Sequence, residues 1–214
     1  MLFNYIYFLI LILGITIGAI RYKLLSKSSK TILLLLVLTF LSEMTALCLR
    51  LNAQNDGIIY HFFQPLEFTL IGLVFWQELK NKVILLIILF HSIFALVNSI
   101  FIQHFTTSFN SNAYVLESFL SIFLGLWYLK TLLSEKTTNY FSNYPIFWFS
   151  LGFMIFDIIN LFILGTHNTL VTIFPNMSSV FRITRYFSNY LLYILFILSF
   201  LCAQKKLNID NPEI

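Results

Sequence analysis

Long apolar runs, broken by short polar connections, make up most of the chain. They fall at about Leu2–Ile20, Thr31–Leu51, Ile58–Gln77, Val83–Phe105, Ala113–Leu133, Ile146–Gly165 and Ser178–Ala203. A helix needs about 20 apolar residues to cross the hydrocarbon of a bilayer, and each run reaches that length. A spanning segment must also satisfy its own backbone polar groups, which a helix does. The pattern predicts an all-α membrane protein: a single bundle of seven transmembrane helices over residues 1–206, with 207–214 as a short cytoplasmic tail. Thr106–Asn112 and Ser134–Asn143 read as loops, and no Gly/Ser-rich linker divides the chain into domains.

Composition strengthens this reading. The chain is 59% hydrophobic and 10% charged, against about 45–50% and about 25% in soluble domains. Seven spans leave too little sequence for a soluble catalytic domain. The formal charge of +4 is spread beside apolar segments and forms no patch for nucleic acid, so none is expected as a partner. The bilayer is the expected surrounding.

Charge sets the expected orientation. Arg21, Lys23, Lys27, Lys30, Lys80, Lys82, Lys130, Lys136, Lys205 and Lys206 all fall in the connections after helices one, three and five or after helix seven. The positive-inside rule puts these in the cytoplasm, giving an N-out/C-in topology. Trp76, Trp127 and Trp148 lie close to the same ends of helices three, five and six, where indoles anchor among headgroups. The first run has no basic residues before it and several after it, the reverse of a cleavable signal peptide, so it reads as a retained helix. Glu67–Lys80 (EFTLIGLVFWQELK) and Glu117–Lys130 (ESFLSIFLGLWYLK) share a spacing that either a repeat or recurrent interface anchoring explains.

Ionisable groups inside hydrocarbon are costly, at roughly 2.5–3.5 kcal/mol each on insertion scales, and normally face the bundle interior. Here they are Glu43, Glu67, Glu117, Asp157, Arg182 and Arg185, with Arg50 at a helix end. At about 1.5 Å per residue all come out roughly 6–13 Å below the outer ends. Residues three, four or seven apart share a helix face. This gives stripes of Tyr60, Gln64 and Glu67; Arg182, Arg185 and Asn189; Glu43 and Arg50; Tyr114, Glu117 and Ser121; and Asp157 with Asn160. Asn98 adds helix four. Pro65 removes a backbone donor inside helix three and releases the His61 carbonyl beside its stripe, or else only bends the helix. The expected ligand-binding or proton-coupling set is Glu43, Arg50, Gln64, Glu67, Asn98, Glu117, Asp157, Asn160, Arg182, Arg185 and Asn189. Four carboxylates against three guanidiniums leave one negative charge in surplus, with Asp157 or Glu67 as the candidate to hold a proton. Buried Arg–carboxylate pairs that only register the helices are the competing explanation.

Other chemistry is poorly supported. Cys48 and Cys202 fall at opposite depths and read as packing residues rather than a disulfide. There is no GxxxxGK loop or HExxH pair, and His61, His91, His104 and His167 are scattered singly, so neither a metal site nor a cofactor is expected. Ser42 beside Glu43 lacks a histidine to act as its base. The last span carries no mid-helix lysine between Val180 and Ala203, as a retinal pigment would need. Gly14 and Gly18 form a GxxxG step in helix one, suited to close packing within the chain or to a helix-one dimer.

The sequences FLSE at Phe40–Glu43 and YHFFQPLEF at Tyr60–Phe68 resemble uncharacterised small seven-helix bacterial inner-membrane proteins. The resemblance covers helices two and three, carries no activity, and implies an inner (cytoplasmic) membrane location. The residues themselves point to a non-enzymatic sensor or receptor-like component whose outward-facing polar cavity takes a small polar or anionic solute. Its connections are too short for an output domain, so it would act through a separate signalling protein. A small proton-coupled solute transporter is the alternative, and an intramembrane lipid-modifying enzyme a remote one.

Overall fold

The computed structural model describes residues 2–106, 108–135, 141–165, 173 and 178–209. Seven helices are long and apolar enough to cross a membrane. They are α1 (Leu2–Ile20), α2 (Lys27–Leu51), α3 (Gly57–Leu79), α4 (Val83–Val97), α5 (Ser111–Glu135), α6 (Pro145–Gly165) and α7 (Ser178–Ile209). Lys136, His167 and the last five residues of the expected tail lie outside the described residues.

Helix ends differ from the apolar runs where polar residues cap or extend them. α2 begins at Lys27 rather than Thr31, because Ser26 Oγ accepts from Ser29 N–H at 3.1 Å and so starts the helix in polar sequence. α3 ends at Lys80 in a left-handed conformation (φ 54°), its N–H returning to Trp76 O at 2.9 Å. α4 runs into a π-helical turn, Asn98–Ile102, and α7 continues past Ala203 to Ile209.

The helices follow one another around the bundle. α1 packs between α2 and α7, α3 against α2, α4 and α5, and α6 between α5 and α7, which closes the ring. Exposure is inverted relative to a water-soluble protein: Phe162 and Phe101 are 79% and 74% exposed, whereas Glu117 and Asp157 are 3% and 2% exposed. Outward phenylalanines cost nothing against lipid tails, while a carboxyl there would lose its hydration. This pattern of contact is that of a chain embedded in a bilayer.

The two halves of the bundle differ. At the end carrying Arg21, Lys80 and Lys130, here the basic end, the core is aromatic and fully packed. Phe149 lies 5.8 Å from Phe75, 5.0 Å from Phe153 and 5.2 Å from Phe196 between ring centroids. α2 and α3 are clasped there by Ser28 donating to Glu78 and by Gln77 Nε2 donating to Thr31 Oγ1 at 3.1 Å. Gly14 and Gly18 face inward: an added Cβ would meet Leu36 and Ile197 at one, Leu33 and Phe200 at the other. The GxxxG face is thus covered by α2 and α7 of the same chain.

Candidate functional site

In the half away from the basic end, five helices line one cavity of about 40 Å³, four of them with polar side chains. Thr39 and Glu43 reach it from α2, Tyr60, Gln64 and Glu67 from α3, Tyr114 from α5, Phe156 from α6, and Arg185, Asn189 and Tyr193 from α7. Phe109, in the connection before α5, closes one side. The volume is room for on the order of three waters. Counted from the helix ends at 1.5 Å per residue, the charged groups lie about 9–15 Å deep, one layer as the sequence spacing predicts.

Helical periodicity explains the lining. Thr39 and Glu43 are four residues apart, as are Tyr60 and Gln64, and Arg185 and Asn189, so each pair projects from one face. Tyr60 Oη donates to Glu43 Oε1 at 3.2 Å, and Tyr193 Oη to Asn189 Oδ1 at 3.2 Å. Tyr7 of α1 meets Tyr193 at 3.3 Å between hydroxyls. Arg185 faces Glu43, Tyr60, Tyr114 and Tyr7 electrostatically, with no ion-pair contact among the described residues.

Behind the cavity wall lie Glu117, Asp157 and Asn160. Asp157 Oδ1 accepts from Ser118 Oγ at 3.2 Å, while its Oδ2 has no partner. Asn160 Nδ2 donates to Phe156 O and Ser188 Oγ, both at 2.8 Å. Glu117 stands beside Glu67, Asp157 and Gln64. Gln64 is only 1% exposed, yet neither Nε2 nor Oε1 meets hydrogen-bond geometry with any group. Glu67 makes no hydrogen bond or ion pair among the described residues, and its charged neighbours are carboxylates: Glu43, Glu117 and Asp157. Along α3, then, an unpartnered amide and an unpartnered carboxyl sit one turn apart in the cavity wall.

Three expected members lie elsewhere. Arg50 is bound to Asp56 in the α2–α3 connection, through Nε at 3.0 Å and Nη2 at 2.5 Å. The expected balance of charges left out Asp56, which precedes the third apolar run. Arg182 is exposed on α7. Asn98 belongs to a separate polar network: Asn98 Nδ2 donates to Gln103 Oε1 at 2.8 Å, and Asn112 Nδ2 to Asn98 Oδ1 at 3.1 Å, tying the π-turn to the start of α5. The layer therefore holds Glu43, Glu67, Glu117 and Asp157 with Arg185 alone of the three arginines.

Thr39, Phe63, Phe109, Phe156, Leu192 and Tyr193 line the cavity without having been expected there. Thr39 and Tyr193 were legible as one-turn extensions of the Glu43 and Asn189 stripes. Phe109 was not, since nothing local says that a loop residue folds inward. His91 is fully buried, its ring centroid 4.2 Å from that of Phe68 with the planes tilted by 48°, and Nε2 donates to Ala113 O at 3.4 Å. Among the described residues no three His, Cys, Asp or Glu side chains come together to hold a metal ion. Comparison with protein-family models, curated proteins and solved structures finds no match to the chain.

Proposed function

We propose that this integral membrane protein is a non-enzymatic, sensor or receptor-like component that recognises a small polar solute in the α2–α3–α5–α6–α7 cavity. One observation carries the reading: polar side chains from four helices converge on one space with room for a few waters. Polar groups at that depth are expensive unless they serve each other or a ligand, and Gln64 meets hydrogen-bond geometry with no group among the described residues. With the basic end in the cytoplasm of a bacterial inner membrane, the cavity faces outward. The connections at 21–26 and 80–82 are too short to hold an output domain, so the signal would pass to a separate signalling protein.

The proton-coupled carrier draws support from the row of carboxylates Glu43, Glu67, Glu117 and Asp157. Against it stands the basic half, where Phe75, Phe149, Phe196 and Phe200 are at most 1% exposed. A dense aromatic plug gives a solute no second exit without large repacking. An enzyme draws little support, because Ser42 Oγ donates to Thr39 O at 2.9 Å and hydrogen-bonds to no histidine among the described residues.

The test uses the full chain in lipid nanodiscs, with thermal unfolding followed across small cationic, anionic and neutral solutes. A saturable rise in Tm that Glu43→Gln weakens supports recognition, since a ligand that binds only the folded state stabilises it. The recognition reading fails if no class of solute shifts Tm. If proteoliposomes instead show solute-driven proton movement abolished by Asp157→Asn, the carrier reading replaces it.

A further inference from the structure

The α3 wall of the cavity defines what kind of solute would complete it. Gln64 and Glu67 are three residues apart and so share a face. Gln64 is 1% exposed and lies beside Glu117, yet its amide meets hydrogen-bond geometry with no described group, and Glu67 has no donor and no cation within ion-pair distance among the described residues. The one cavity-lining guanidinium, on Arg185, has Glu43 as its facing carboxylate. The missing group must therefore bring positive charge and several N–H donors to Glu67 Oε and Gln64 Oε1 together.

The rest of the lining narrows the class. Tyr60, Phe63, Phe109, Tyr114, Phe156 and Tyr193 contribute aromatic rings to the lining. Aromatic faces attract cations, more strongly where water is excluded. A bare metal ion needs clustered ligands that the described residues do not provide. An anion would find Arg185 attractive but would meet both Glu43 and Glu67. A space that holds about three waters suits a headgroup of a few heavy atoms.

We propose that the Gln64–Glu67 wall binds the ammonium group of a small primary amine, Glu67 supplying the counter-charge and Gln64 Oε1 a second acceptor. This rests on reading the cavity as a solute site, and it names the class of solute. One ammonium N–H points to Glu67, one to Gln64, and the aromatic rings cover the carbon side. An ammonium with no N–H loses both hydrogen bonds and keeps only its charge.

The test uses the full chain in nanodiscs at matched ionic strength, with methylammonium, tetramethylammonium, acetate and acetamide as probes. Methylammonium is expected to bind saturably and tetramethylammonium at least tenfold more weakly. Glu67→Gln should weaken methylammonium at least tenfold while the unliganded protein keeps its helix content and elution volume. If Glu67→Gln does not fold, Gln64→Leu provides the second arm, with a severalfold loss expected. Equal methylammonium affinity in the variant that folds and the parent overturns the site. Binding of acetate or acetamide without methylammonium overturns the ammonium assignment and leaves solute recognition standing. If none of the four probes binds, both readings fall.

Discussion

Arg50 donates to a single oxygen of Asp56 from both Nε and Nη2, at 3.0 and 2.5 Å. The Arg50 side chain is 51% exposed, so the pair works in a high-dielectric setting at the mouth of the α2–α3 connection. Such pairs contribute about 0–1 kcal/mol. Arg50→Ala, Asp56→Ala and the double variant should each unfold within about 1 kcal/mol of the parent. Affinity for a cavity ligand should stay unchanged. A coupling above about 2 kcal/mol in the double-mutant cycle would show that the pair is more deeply integrated than its exposure indicates.

The Ser118–Asp157 contact behaves differently because both residues are buried, at 0% and 2% exposure. Ser118→Ala deletes the donor that Asp157 Oδ1 uses at 3.2 Å, leaving Ser121 as the nearest hydroxyl to the carboxyl. Loss of about 1–3 kcal/mol is expected, read as a lowered Tm in detergent by tryptophan fluorescence. An unchanged Tm would mean that some other group takes over from Ser118.

At the α3–α4 seam, Gly72 lets the helices approach closely. A Cβ there would lie 2.4 Å from Ile88 Cγ1 and 2.6 Å from its Cδ1. Gly72→Ala should destabilise by about 1–3 kcal/mol through overpacking, and pairing it with Ile88→Ala should cost less than the two single effects summed. Additive losses would locate the strain elsewhere.

Gly18 makes a similar approach in α1, with Leu33 Cδ1 at 2.6 Å and Phe200 Cε2 at 3.2 Å from an added Cβ. Gly18→Leu is expected to lower the thermal stability of the chain without changing its oligomeric state in detergent. A shift in oligomeric state at unchanged stability would instead support a helix-one dimer.

Orientation is testable through single cysteines in a Cys48→Ala, Cys202→Ala background. Asn52→Cys, after α2, should react with a membrane-impermeant maleimide in intact cells. Asn81→Cys, between α3 and α4, should react only after permeabilisation. The reverse pattern would invert the proposed topology and turn the cavity inward.

Much of the fold was legible because each span is set by its own transfer free energy. α1 at Leu2–Ile20 coincides with its apolar run, and α3, α5 and α6 depart from theirs by at most two residues at either end. Departures occur where polar residues join a helix, as at Lys27–Lys30, or where Asn98 carries α4 into a π-turn. Part of the site was legible too: the stripes containing Glu43, Gln64, Glu67, Arg185 and Asn189 meet at the cavity. Arg50, Arg182 and Asn98 show the limit of that reasoning. Arg182 and Asn98 have the right depth and residue type, and Arg50 the right type at a helix end, but depth along a helix does not say which neighbour the side chain meets.

What the sequence by itself determined is a chain that spans a bilayer with seven helices and keeps its intramembrane charge in one layer. Both follow from local quantities, the hydration cost of each segment and a fixed rise per residue. Only the tertiary structure decided that one arginine of three reaches that layer, that Gly14 and Gly18 are covered by α2 and α7, and that Gln64 and Glu67 make no hydrogen bond or ion pair among the described residues. These depend on the order of helices around the ring and on the rotation of each about its own axis. At about 100° per residue, a small turn of one helix exchanges a buried partner for lipid, and packing against its neighbours sets that angle.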